Sequence, residues 1–517
     1  MPCALKLSDV SKLGNTLFIS DLMERASGLV WARVWLVALA ALLLSIVMPL
    51  LWGDLGEAIL SHVWKTEPEG TTKCLVMESD GRCVEKRKEF LTNWAGNVRS
   101  DGQLTVYYPR TIAGLQAIVR LSKGKNVGVR VVGARHSWSQ ALLQIPQNTL
   151  LVSLLSKDNT TELSFVSHVQ EQGDGVAEVE VGAGSTLGQL ADACRISGWQ
   201  VASAPVLREV TVGGVVVSLS HGAGTGRPGL ADSVTALTYI DAKGNAQRLT
   251  KVEEVSVFLS SLGLIGIIVS LRVRLVPVER VLAPLQSPFD YLGLLLPRPG
   301  KPLPPESLRL FQDCDYQQFF LPRSPGTKSS KYVLPTVGTF WKSEPGVLIQ
   351  DWMVSQLASK ILSAIVGECK AKHIMEALKV RITGKRWIST VDALHPHCDS
   401  SKFRVTEFAF PILLGKDGDE KDFSFVQRAV WDALDIADTL KNEGIDGLTD
   451  HLDVRLVAPS HIPLAPYPKI AGVWGWAGVV LAASEQTPEE EWRTLVETVV
   501  RKWASYKYQD GSSLLPR

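Results

Sequence analysis

The chain has 517 residues, enough for two or three domains with substantial cores. Its 54 Lys+Arg balance 53 Asp+Glu to a formal charge of +1, which leaves no basic surplus for nucleic acid. Seven cysteines, scattered and odd in number, exclude a disulfide-framework fold.

The first element is an uncharged run from Val34 to Gly53, rich in Leu, Ala and Val. At about 1.5 Å per residue it matches a hydrocarbon core of roughly 30 Å. It reads as a single transmembrane anchor (34–53) behind a short tail (1–33). Lys6, Lys12, Arg25 and Arg33 precede it and Lys65 alone follows closely. The positive-inside tendency then puts the tail in the cytoplasm and the rest in the lumen of the secretory pathway, with a mitochondrial membrane as the alternative. Cys74 and Cys83 flank a Ser79-Asp80-Gly81 turn that can bring them within bridging reach. Asn159-Thr160-Thr161 is a glycosylation acceptor pattern.

A polar stalk is expected over 54–92. Thr105–Tyr108 then reads as a strand, and Thr111 as the cap of a helix with Ile112, Leu115, Ile118 and Val119 on one face, closed by Gly124. Val127–Val132 is the next strand, and it delivers Gly133-Ala134-Arg135-His136-Ser137-Trp138-Ser139 at its end. Strand Val179–Gly182 leads through Gly184-Ser185-Thr186 into a helix from Leu187 to Ile196. A second glycine-flanked patch follows, Thr211-Val212-Gly213-Gly214 through Ser218 to His221-Gly222-Ala223-Gly224. Val234–Asp241 with a Lys243-Gly244-Asn245 turn reads as a hairpin, and Ile265–Val276 as the closing strand. The proline-rich 297–305 stretch is a surface loop. Thr487, Pro488 and Glu490 signal the start of a last helix whose buried stripe is Trp492, Leu495, Val496, Val499 and Trp503.

Consecutive small residues at the ends of strands let backbone N–H groups converge on an anion, and two such loops suit a long phosphate-bearing cofactor. The two patches, with Ser261-Leu262-Gly263-Leu264-Ile265-Gly266-Ile267-Ile268 and Asn93-Trp94-Ala95-Gly96-Asn97, resemble the vanillyl-alcohol oxidase/p-cresol methylhydroxylase flavoproteins. The resemblance is to their sugar-1,4-lactone oxidase branch (gulonolactone, arabinonolactone and galactonolactone oxidoreductases) and runs from about Asn93 to Val276. It implies an α+β architecture: a two-part FAD-binding domain over 93–285, and an α+β cap or substrate domain over 286–517 whose end returns to the flavin domain.

The same resemblance implies FAD contacts from Gly133, Ala134, Arg135, His136, Ser137, Ser139, Thr211, Gly213, Gly214, Ser218, His221, Gly222, Gly224, Gly263, Gly266 and Ile268. His136 is the expected covalent attachment point, or else a loop histidine bonded to pyrophosphate or backbone. Arg135 stands where the family has Gly, and either pairs with a diphosphate oxygen or points outward. His221 reaches the adenine or phosphate side, or is a structural hydrogen-bond partner. Asp453-Val454-Arg455 resembles the family's Glu-x-Arg pair, whose alternate residues share one strand face. Asp453 would take a hydroxyl proton and Arg455 would stabilise developing negative charge; the bland alternative is a surface ion pair.

The resembling oxidases carry a terminal Pro-His-Trp-x-Lys motif, and this sequence reaches Leu515-Pro516-Arg517 about where that motif would begin, through truncation or loss. His395-Pro396-His397-Cys398 has no partner cluster at zinc spacing, so no metal is expected. There is no P-loop or G-x-S-x-G signature. The expected activity is oxidation of a CH–OH group on a sugar lactone or polyol, with oxygen or an electron carrier as acceptor. An alditol oxidase, or a membrane protein that binds flavin with little catalysis, is the alternative.

Overall fold

The computed structural model describes residues 74–138, 148–156, 161–205, 207–282, 292–313, 316–322, 340–345, 387–389, 402–415, 418 and 420–506. The apolar run at Val34–Gly53, Ser139, Asn159 and His395–Cys398 lie outside them. Among the described residues no helix is long and apolar enough to cross a membrane. Leu75–Arg517 form one compact unit.

Three sheets build it. Strands β1 (Glu85–Thr92) and β2 (Arg99–Tyr108) pair antiparallel, and β3 (Gly128–Val132) and β4 (Thr149–Ser153) join them in the order β1-β2-β4-β3, the last three parallel. Glu85–Thr92, placed in the stalk by its charge, is therefore an edge strand. Both Cys74 and Cys83 are disulfide-bonded, and Glu78 and Arg82 close the tight turn between them, N to O at 2.8 Å. Helix α1 (Ile112–Lys125) crosses from β2 to β3 with Thr111 Oγ1 accepting from Gly114 N. Its stop is Asn126 in the left-handed region at φ 53°, and Gly124 remains inside the helix. Asn supplies that conformation without a glycine's entropy.

The second sheet contains β5 (Gln170–Gly173), β6 (Val176–Gly182), β7 (Trp199–Gln200), β8 (Val234–Ile240), β9 (Ala246–Leu249) and β10 (Ile267–Pro277). Its path is β5-β6-β10-β8-β9, with β7 on the far end of β10. Helices α2 (Leu187–Ile196), α3 (Val212–Val217) and α4 (Val252–Leu259) cover it. Thr186 and Gln189 form a reciprocal capping box at the start of α2. One core runs under both sheets, from Leu115 and Ile118 through Val181 and Leu190 to Leu271.

The third sheet is the cap. It contains β11 (Glu279–Leu282), β12 (Tyr316–Pro322), β13 (Phe340–Pro345), β14 (Trp387–Ser389), β15 (Phe403–Leu414), β16 (Lys421–Asp422), β17 (His451–Val457) and β18 (Val473–Ser484). They run β14-β11-β13-β12-β17-β18-β15-β16. Helices α5 (Leu292–Leu295), α6 (Pro305–Asp313), α7 (Ser424–Asn442) and α8 (Glu489–Trp503) accompany it. Period-2 alternation splits the cap sheet into two faces. Leu452, Val454, Leu456, Ala477, Val479, Leu481, Phe410 and Ile412 point to α7 and α8, while Glu407, Asp453 and Arg455 fall on the other face.

Helix α8 buries Leu495, Val499 and Trp503, and each such burial stabilises by about 1.5–3 kcal/mol. No side chain caps it: Thr487 Oγ1 instead pairs with Thr449 Oγ1 at 2.6 Å. Tyr506, the last described residue, packs within the cap.

Candidate active site

Strand β3 ends at Val132 and releases the first histidine loop. Arg135 takes φ 63°, a left-handed conformation that costs a residue with a Cβ about 1–2 kcal/mol and that glycine adopts freely. Its guanidinium turns to Glu89 on β1, 3.0 Å away, and Glu89 also accepts from the Tyr108 hydroxyl. Arg135 thus carries an ion pair to the edge strand of the first sheet.

Arg135 O accepts from Trp94 N at 2.8 Å, and Asn93 Nδ2 donates to Ser137 O at 3.1 Å, so the Asn93–Asn97 segment clamps the loop. The His136 ring stacks on Trp94 at 5.5 Å. Its Nε2 lies 3.5 Å from Glu209, and its buried Nδ1 has no partner among the described residues. Burial pushes the His136 pKa down, with Glu209 opposing, which keeps the ring neutral at pH 7.

The second loop packs directly on the first. A Cβ on Gly133 would overlap Thr211 Oγ1, one on Gly213 would come 2.9 Å from Ala183 O, and one on Gly222 would strike Ser203 and Ala204. These glycines let protein loops close on each other. Thr211 caps α3 by accepting from Gly214 N. Several amides expected to meet a cofactor already donate elsewhere: Gly213 to Ala183 O, Ser218 to Gly214 O, and Gly224 to Leu456 O at 2.7 Å. The Ser218 hydroxyl pairs with Ser220 Oγ at 2.7 Å.

In the third segment Gly263 turns at φ 79° beside Val217 of α3, and Gly266 packs under Tyr239. Ile268 is buried in the main core. By contrast, the amides of Ala134, Arg135, His136 and Ser137 donate to no carbonyl among the described residues. Four open amides beside an unpaired neutral imidazole nitrogen fit an acidic cofactor and a ring that an imidazole can attack.

The cap face opposite these loops carries a polar cluster. On β17, Asp453 is fully buried and accepts from Arg455 Nε at 2.8 Å and from Gln318 Nε2 of β12 at 3.2 Å. Burial raises the Asp453 pKa, against the pull of Arg455. A surface ion pair is ruled out. Across Val480 of β18, in register with Asp453, stands Glu407 of β15. Glu407 Oε1 lies 2.7 Å from the Tyr467 hydroxyl and 3.0 Å from His221 Nε2. Burial opposes ionisation of Glu407, yet His221, Arg455 and Tyr467 together hold its pKa down to about 2. Opposite Arg455 on β18 is Gly478, where a Cβ would overlap Glu407 Oε1 and sit 2.8 Å from Tyr467 Oη.

His221 takes the structural role: Nδ1 lies 2.8 Å from Gly222 O, and Nε2 joins Tyr467 at 2.9 Å as well as Glu407. With the Gly224–Leu456 bond it sews the second loop onto the cap.

Glu407, Tyr467, Gln318 and Gly478 escape a reading by motif, because strand register and the loop between β17 and β18 bring them together. One signal exists: Glu407 is the sole acid in the otherwise apolar, basic or hydroxylated strand Phe403–Leu414. Among the described residues no cluster of three His, Cys, Asp or Glu is placed to hold a metal.

The FAD binding domain family matches residues 104–250, so that segment is an FAD-binding domain and FAD is its cofactor. The chain is 26% identical over 201 residues to D-arabinono-1,4-lactone oxidase of Candida glabrata, covering 38% of this chain and 36% of that one. It is 28% identical over 195 residues to the Saccharomyces cerevisiae enzyme of the same name, covering 37% and 35%. To L-gulonolactone oxidase of Mus musculus it is 25% identical over 188 residues, covering 36% and 40%. The match thus spans little more than a third of these relatives' length. Cholesterol oxidase from B. sterolicum has a similar fold, with TM-score 0.61, 14% identity, and 86% and 87% of the two chains covered. The fold is mixed α/β.

Proposed function

We propose that the protein is an FAD-dependent oxidoreductase that oxidises a CH–OH group of an aldono-1,4-lactone at the cap face bearing Asp453 and Arg455. The observation that carries this is the buried Asp453–Arg455 pair at 2.8 Å, on the cap face whose strand β17 is bonded to the second glycine loop through Gly224. The relatives named as arabinonolactone and gulonolactone oxidases supply the substrate class.

FAD supplies the acceptor for the hydride, and oxygen or an electron carrier takes the electrons onward. The chain's own residues do the rest. Ala134 to Ser137 present amides to an acidic group, and His136, neutral and unpaired at Nδ1, is the attachment point for a covalent flavin. Arg455 binds the substrate oxygen and stabilises negative charge there. Asp453, its pKa raised by burial, takes the hydroxyl proton at a carboxylate oxygen.

The test is optical. Purified protein should be yellow, and acid precipitation should leave the colour in the pellet and move it to the supernatant in His136→Ala. Anaerobic aldonolactone should bleach the flavin bands and alditols should not. A colourless protein, or bleaching by alditols alone, would contradict the reading.

We further propose that Val34–Gly53 anchors the protein with its catalytic unit on the lumenal side. The disulfide-bonded Cys74 and Cys83 accord with an oxidising compartment. A glycosidase-sensitive mass shift that Asn159→Gln abolishes is the expected result; digestion of the large unit by protease added from the cytoplasmic side would refute the orientation.

A further inference from the structure

Proton counting at the junction between the second loop and the cap leads beyond the substrate pair. Gly222 O only accepts, so the 2.8 Å contact puts a hydrogen on His221 Nδ1. His221 Nε2, Tyr467 Oη and Glu407 Oε1 then form a triangle with sides of 2.9, 2.7 and 3.0 Å. The tyrosine proton satisfies one side. Without another proton, the imidazole lone pair would face a carboxylate oxygen at 3.0 Å, which is repulsive.

Charge gives the same answer. Asp453 and Arg455 balance each other, so a bare Glu407 would leave one uncompensated negative charge in a largely buried cluster. Of the other groups nearby, His451 of β17 is paired with Asp450 at 2.8 Å, and Asp232 lines the same small cavity as His221 and Tyr467 but is engaged by Ser460 Oγ and the His461 amide at 2.9 Å each. The adjoining β18 positions, Gly478 and Val480, carry no charge.

We propose that His221, Tyr467 and Glu407 hold one proton in common, which compensates Glu407 and leaves the Arg455 guanidinium available to the substrate oxygen. His221 is then a positioning residue acting through Glu407 on Arg455. Gly478, opposite Arg455, makes the space in which the two networks meet. The proposal rests on the lactone-oxidase reading of Asp453 and Arg455.

The experiment uses the full-length, FAD-loaded protein with an aldonolactone and compares His221→Gln, Glu407→Gln and the double variant. His221→Gln leaves Glu407 uncompensated and competing for Arg455. It should lower kcat/KM by about tenfold or more, chiefly through KM, and recover as pH falls and Glu407 binds a proton itself. Glu407→Gln alone keeps the cluster neutral and should cost less. Added to His221→Gln it should restore kcat/KM to within a few fold of wild type.

A double variant as impaired as His221→Gln or worse, or a His221→Gln loss that is independent of pH, overturns the proposal. If His221→Gln does not retain FAD, 15N spectra of histidine-labelled wild type decide instead. A doubly protonated imidazole that disappears in Glu407→Gln supports the shared proton, and identical spectra overturn it. A wild type that no lactone bleaches overturns this proposal together with the reading beneath it; an active wild type without rescue overturns the shared proton alone.

Discussion

At the scale of single residues, conformation and burial decide what the sequence leaves open. Arg135 occupies a glycine conformation at φ 63° and is tied down by Glu89 at 3.0 Å. Replacing it with Gly relieves about 1 kcal/mol of backbone strain while losing a partly exposed ion pair worth about 0–1 kcal/mol. Thermal unfolding should therefore place Arg135→Gly within a few degrees of wild type and Arg135→Val, β-branched at positive φ, clearly below both. Equal melting of Gly and Val variants would remove the strain argument.

Glu407 makes a pH prediction. Its folded pKa of about 2 lies below the ordinary 4.5, so ionised Glu407 stabilises the fold above about 4.5 and that contribution is lost as pH falls towards 2. Asp453, raised by burial, acts in the opposite sense, because the folded protein takes up its proton first. The melting-temperature gap between wild type and Glu407→Gln should thus close over that interval. A gap constant with pH would show that Glu407 is not held ionised.

At the scale of elements, strands and helices announce themselves by periodicity, whereas cross-strand neighbours do not. Thr111 with its apolar i, i+3 face, and Asp453 and Arg455 two apart on a strand, are local patterns and legible. The second carboxylate is not, because Glu407 meets His221 across 186 positions of chain and Tyr467 across 60. Thr487 shows the reverse failure: a good capping sequence loses its hydroxyl to Thr449, a partner only the fold supplies.

The glycines Gly133, Gly213 and Gly222 are legible as necessary, but the neighbours requiring their bareness are Thr211, Ala183 and Ser203 in the facing loops. The sheet-level counterpart is Gly478. Gly478→Ala should displace Glu407 and Tyr467, lowering kcat/KM about tenfold or more and lowering the melting temperature in the same sense as Glu407→Gln, since small misplacements at a site are costly. Unchanged kinetics would mean that the gap at Gly478 serves no purpose in the cluster.

At the scale of the whole molecule, function depends on two separately built surfaces meeting. The flavin domain offers open amides and a neutral histidine, and the cap offers a face with the buried Asp453–Arg455 pair and Glu407 beside it. The Gly224–Leu456 bond and the His221–Tyr467–Glu407 triangle join them. On this arrangement the cap pair acts on substrate beside the flavin without contributing to flavin retention. Anaerobic addition of aldonolactone to Arg455→Ala and Asp453→Asn tests it most directly. Both variants should stay yellow, with wild-type flavin content, and bleach at least about a hundredfold more slowly than wild type, as loss of a charge-stabilising donor requires. Bleaching at the wild-type rate in either variant would contradict it.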